Sequence, residues 1–204
     1  NIRFSRATYL LLAENLKSKT RFMVSGNFGS ELMRTMRMSG NLISHIVFDL
    51  FDTEEKEEFS NKICNSHKIK YLNKSSFEKE ILDIVEQCWE YKRTVSNLSK
   101  NQQFYKFLLE EVFRKYFGPE IVLENHYIIN RTPFLDFPFM VELFKSELAG
   151  CNAEFQVSNP FDRFKGQALY PYIIKKTSPK LLEYRLDRGY APGHFLSRHG
   201  HLLI

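Results

Sequence analysis

The chain has 204 residues, 43% of them hydrophobic and 15% aromatic, and a formal net charge of +5. It is long enough for one domain with a buried core, and too apolar for a disordered segment. No apolar run approaches the roughly 20 residues of a membrane span, and three widely spaced cysteines without a Cys-x-x-Cys pair argue against a disulfide framework or a zinc knuckle, which predicts a reducing, cytoplasmic setting.

In chain order, Ser5 caps an expected helix over 5–17 that is rich in Leu and Ala. Residues 19–24 read as a strand, and Phe22, Met23 and Val24 without alternation suggest a buried parallel one. Turn chemistry follows in Ser25-Gly26-Asn27-Phe28-Gly29-Ser30, where Gly26 and Gly29 tolerate backbone angles that other residues avoid. A helix is expected over 30–37. Such a strand–turn–helix corner is either ordinary architecture or an anion site, because the first N–H groups of a helix point into the turn.

Residues 41–51 are apolar and read equally as helix or strand, and 52–66 as an acidic, then mixed, helix. Ser75 and Glu78 make a capping box for a helix whose Phe77, Ile81, Ile84, Val85 and Cys88 share one face. Residues 102–117 give the clearest helix, with Tyr105, Leu108, Leu109, Val112 and Tyr116 on one side and Gly118-Pro119 as its stop. Asp136 caps another helix, 137–148, with Pro138 in the first turn. Residues 150–166 read as a loop.

The charge is uneven. From Arg163 onward eight Lys or Arg face only Glu183 and Asp187, a local +6, while residues 1–162 sum to −1. A basic segment of this kind is either a solvated face or a seat for an anionic partner. His194, His199 and His201 have loosely metal-like spacing without an acidic or Cys partner nearby, and read as part of a loop tail.

Three separated stretches then line up: SGNFGSEL at 25–32 after a strand, NRTPFLDFPFMVELF at 130–144, and YIIKKTSPKLLEYRLDRGYAP at 172–192. In this order and spacing they resemble the synthetase domain of the asparagine synthase family. That family has a Ser-Gly-x-Gly-Gly-Asp-Glu loop, an Arg-x-Pro-Phe-Leu-Asp signature and a closing basic segment. RTPFLD at 131–136 is the most specific of the three matches.

The resemblance implies a helix-dominated α/β fold, part of a Rossmann-like adenine-nucleotide sheet followed by a helical region. It implies an ATP-dependent, amide-forming ligase that adenylates a small carboxylate and lets an amine attack, with ATP and Mg²⁺ as cofactors. A glutaminase domain or a second copy is the implied partner. Carried over residue by residue, Ser25, Gly26, Asn27 and Gly29 would line the nucleotide. Glu31 would face the metal, with Ser30 beside it where the family has Asp. Lys175, Lys176 and Arg131 would be the catalytic cations, and Lys175 or Lys176 stands in for a family Lys whose place aligns with Pro171. RTPFLD should pack against the 25–31 loop, with Arg131 buried on a polar partner.

The family's other phosphate loop, Ser-Gly-Gly-x-Asp-Ser, does not occur in these residues. The expectation is therefore that residues 1–204 are the C-terminal part of a longer, asparagine-synthase-like domain, inactive by themselves. Ser30, Asn27 and Ile129 stand where the family favours acidic residues, and they support a second reading, a catalytically degenerate nucleotide-binding or scaffold module. A third is a basic helical protein that binds nucleic acid; it rests on the basic segment and interleaved aromatics, and no nucleic-acid motif supports it.

Overall fold

The computed structural model describes residues 4–33, 45–66, 74–156, 165–187 and 189–197. The described chain is helix-dominated α/β, with one parallel two-stranded sheet among the described residues. It divides into two units: residues 1–38 with 107–204, and residues 39–106.

The first unit opens with α1 (Phe4–Leu16). Its last turn closes where Lys17 donates to the Ala13 carbonyl at 3.0 Å and Lys19 to that of Leu16 at 2.8 Å. β1 (Phe22–Val24) leads through the corner at residues 25–28 into the short α2 (Gly29–Met33). The strand is shorter than 19–24, and Phe22 and Val24 are exposed, so it is not the buried strand its composition suggests. The helix expected over 30–37 is described only to Met33, and the rest of that span lies outside the described residues.

After Phe107 the chain forms a π-helical segment, Leu108–Phe113, then α7 (Arg114–Tyr116) and α8 (Gly118–Glu124). Gly118-Pro119 therefore opens a helix instead of ending one. A proline in the first turn gives up no hydrogen bond there, because those N–H groups have no intrahelical acceptor. β2 (Ile129–Arg131) follows and pairs in parallel with β1, Phe22 opposite Ile129, Met23 opposite Asn130 and Val24 opposite Arg131. A 3₁₀ turn, Pro133–Leu135, leads to α9 (Phe137–Lys145), whose cap is Asp136: its carboxylate accepts from the Phe139 N–H at 3.1 Å. Beyond 3₁₀ turns at Gly150–Asn152 and Gly166–Ala168 lies α10 (Leu169–Thr177), and two more 3₁₀ turns, Pro179–Glu183 and Pro192–Leu196, finish the described chain. The core of this unit gathers Ala13, Phe28, Leu32, Met33, Phe113 and Ile128.

The second unit holds α3 (His45–Asp52), α4 (Lys56–Cys64), α5 (Lys74–Thr94) and most of α6 (Lys100–Phe107). Residues 41–51 thus resolve to helix from His45 onward. Phe51, Phe59, Ile81, Val85 and Phe104 are buried, with Phe51 edge-on to Phe104 at 6.2 Å and Trp89 stacked on Phe59 at 6.2 Å. Ile81 and Val85 face inward as their spacing predicts, whereas Phe77 and Ile84 are exposed. Phe77 sits at a kink (φ −125°, ψ 15°), so the regular face starts after it. The Lys92 ammonium lies over the Trp89 ring at 4.5 Å and donates to the Thr53 carbonyl; its burial pulls its pKa below the usual lysine range.

Candidate active-site corner

Two of the three resembling stretches, 25–32 and 130–144, arrive at the carboxyl ends of β1 and β2. Parallel pairing of Val24 with Arg131 brings residues 25–29 and 132–136 side by side across more than 100 residues of chain. The Ser25 N–H donates to the Arg131 carbonyl at 2.9 Å, and the Ser25 and Thr132 hydroxyls lie 3.2 Å apart. In open parallel sheets, ligands bind at this end of the strands.

Phe28, and neither Gly26 nor Gly29, adopts the left-handed backbone here, at φ 69°. That conformation costs an ordinary residue about 1–2 kcal/mol. The ring repays it by entering the core, with its centroid 4.8 Å from that of Phe117 and 5.9 Å from that of Phe113. The Gly29 N–H returns to the Gly26 carbonyl at 3.2 Å, and the Leu32 N–H to that of Phe28 at 3.0 Å. Gly29 is glycine for lack of room: a Cβ there would lie 2.6 Å from the Phe134 ring and 2.6 Å from the Tyr170 hydroxyl oxygen. Gly26 is the opposite, with nothing within 4 Å of where its Cβ would stand, so a ligand can approach that stretch of backbone.

The expected site residues divide. Ser25, Gly26, Asn27 and Gly29 form the corner itself. Glu31 is half-buried in the first turn of α2, and the side chain of Ser30 lies outside the described set. Arg131 reaches the corner through its backbone, but its side chain is exposed, with the guanidinium over the Phe22 ring at 5.7 Å; the expectation of a buried arginine does not hold. β2 is an exposed strand at that position, and burying a guanidinium needs polar partners to offset its lost hydration. Lys175 and Lys176 are exposed in the last turn of α10, and Lys176 stands over Tyr172 at 5.7 Å. The corner meets the other end of α10, at Tyr170; at 1.5 Å rise per residue Lys175 lies roughly 8 Å further along that axis.

Among the described residues no three His, Cys, Asp or Glu side chains converge as a ligand set, and serine replaces one of the two acids of the resembled loop. The corner offers a ligand open backbone at Gly26 and the half-buried Ser25 hydroxyl.

Sequence reasoning missed the support behind Ser25. Thr132 Oγ1 donates to Asn130 Oδ1 at 3.4 Å, and Asn130 Nδ2 donates to Glu124 Oε2. The Asn130 N–H donates to Asn125 Oδ1 at 2.9 Å, which fixes the strand residue to the loop before it. Asn130 and Glu124 are both buried. Burial pushes the Glu124 carboxyl above the usual range, Asn130 opposes that by hydrogen bonding, and the charge of Glu120 one turn earlier adds to it. The only trace in the sequence is Glu120 and Glu124 at helical i,i+4 spacing, followed by Asn125 and Asn130. Cavities among the described residues open elsewhere, such as one of about 230 Å³ lined by Met33, Glu147, Gly150 and Lys165, and one of about 420 Å³ at the amino ends of the strands, lined by Lys17, Lys19, Arg21 and His126.

No protein-family model, no curated protein and no solved structure matches this chain.

Proposed function

We propose that the chain is part of an asparagine-synthase-like domain, Rossmann-like in kind, that binds an adenine nucleotide within an ATP-dependent, amide-forming ligase. One observation carries the reading: Ser25-Gly26 and Arg131-to-Asp136, far apart in sequence, stand side by side at the carboxyl ends of two parallel strands. The backbone at Phe28 supports it further. Phe28 takes a glycine-type conformation at the position where the resembled loop carries glycine. On this reading the Ser-Gly-Gly-x-Asp-Ser loop belongs to another part of a longer protein. Ser25 and the Gly26 backbone hold the nucleoside, and the aromatic wall of Phe134 and Tyr170 keeps the corner rigid.

A second reading, nucleotide binding without turnover, is favoured by Ser30, Asn27 and Ile129 where the resembled family carries acidic residues, and by the exposure of Arg131. ATP binding and ATP–pyrophosphate exchange on the full-length protein separate the two. Binding with exchange in the presence of a carboxylate substrate supports the ligase, and binding without exchange under any candidate carboxylate supports the degenerate module. Absence of ATP binding at millimolar concentration refutes both.

A further inference from the structure

The polar chain behind Ser25 has a direction. A carboxylate offers only lone pairs, so Glu124 takes the NH₂ end of Asn130. The C=O end of that amide then faces Thr132, and an amide oxygen can only accept, so Thr132 must donate its one hydroxyl proton there. With that proton committed, the 3.2 Å contact between Thr132 and Ser25 has a single solution, in which Ser25 donates to Thr132. Its backbone N–H is also spent, on the Arg131 carbonyl.

We propose that Ser25 is a specificity-determining residue that presents its hydroxyl oxygen outward as a hydrogen-bond acceptor only. The group it takes is therefore an N–H or O–H donor, an amino group of the base or a ribose hydroxyl, and not an ionised phosphate oxygen. The inference rests on the nucleotide reading above and sharpens it: the corner reads the nucleoside, and the phosphates lie elsewhere. The links behind Ser25 are positioning residues. Burial makes them effective, because a buried amide whose two ends already have partners does not turn over without leaving one of them unsatisfied.

Two measurements on the full-length protein test this, both near pH 8, well above the range of an ordinary carboxyl. The first needs no nucleotide. In protein carrying ¹³C-serine and ¹³C-threonine, in mixed light and heavy water, a committed and slowly exchanging hydroxyl gives two resolved Cβ lines. Ser25 and Thr132 should both show them, and Thr132→Val should collapse the Ser25 pair to one line. A single averaged Ser25 line in the wild type overturns the proposal, whatever the nucleotide result.

The second compares adenosine with ATP. Ser25→Ala should weaken both by the same factor, about tenfold, as for the loss of one hydrogen bond with its partner left unpaired. Loss for ATP with adenosine unchanged assigns Ser25 to a phosphate and overturns the proposal. No loss for either ligand overturns it as well. If the wild type binds neither, the nucleotide assignment falls together with the proposed function, and the Cβ lines then decide the polarity of the hydroxyl on their own.

Discussion

Phe28 concentrates the residue-scale physics of the corner. Its left-handed backbone is unfavourable and its buried ring is favourable, so the two contributions can be separated by substitution. Phe28→Ala removes the ring, at about 3–5 kcal/mol, and keeps the strain. Phe28→Gly removes the same ring and releases the strain, so it should be the more stable variant by about 1 kcal/mol, the reverse of the order at ordinary positions. Urea denaturation of the two variants decides it, and an alanine variant as stable as the glycine one would mean that the turn relaxes. Gly29 tests the opposite constraint. Gly29→Ala drives a methyl into Phe134 and Tyr170 and should cost about 1–3 kcal/mol by the same assay. Adding Tyr170→Phe removes one of the three obstructing atoms and should recover only part of that loss, because the two Phe134 ring carbons remain.

At the scale of elements, the stretch after α6 shows how a correct helix assignment misplaces a face. With 3.6 residues per turn, Leu108 is followed on its face by Val112 and Tyr116. The structure buries Leu108, Phe113 and Phe117 and leaves Val112 and Tyr116 half-buried. The π-helical segment Leu108–Phe113 is the cause, since i→i+5 bonding inserts one extra residue and shifts everything after it by one position. Phe113→Ala should therefore cost about 3–5 kcal/mol, and Val112→Ala only about 1 kcal/mol. Equal losses, or a larger one at Val112, would show regular α register in solution. Asp136 is the contrasting case: an N-cap is a contact within one turn, so sequence spacing was sufficient to find it.

At the scale of the whole molecule, Glu124 ties stability to pH. Burial raises its pKa in the folded state above the unfolded value. The folded state then favours the protonated form, so the stability Glu124 contributes is complete below the unfolded carboxyl value. That contribution declines as pH rises through the folded pKa and stays lost above it. Glu124→Gln cannot ionise. Its stability relative to wild type should rise across that window, from about pH 4 upward, and then level off. Denaturation midpoints taken at several pH values read this directly, and a constant difference between the two proteins would show that Glu124 does not titrate against folding.

What the sequence determined by itself was local. Turn chemistry at 25–30, the Asp136 cap, the helical face at Ile81 and Val85 and the helix-dominated character all follow from neighbours within a turn or two. Such contacts depend on spacing and side-chain chemistry, and both are written in the chain. Tertiary structure decided the rest. β2 is three residues long and became visible only as the partner of β1, because a short strand is defined by the backbone it pairs with. The exposure of Arg131, the left-handed turn at Phe28 in place of a glycine, and the step from Thr132 to Ser25 that completes the line from Glu124 depend on which surfaces meet across 85 or more residues of chain. Burial and hydrogen-bond direction are properties of that meeting, and no local pattern carries them.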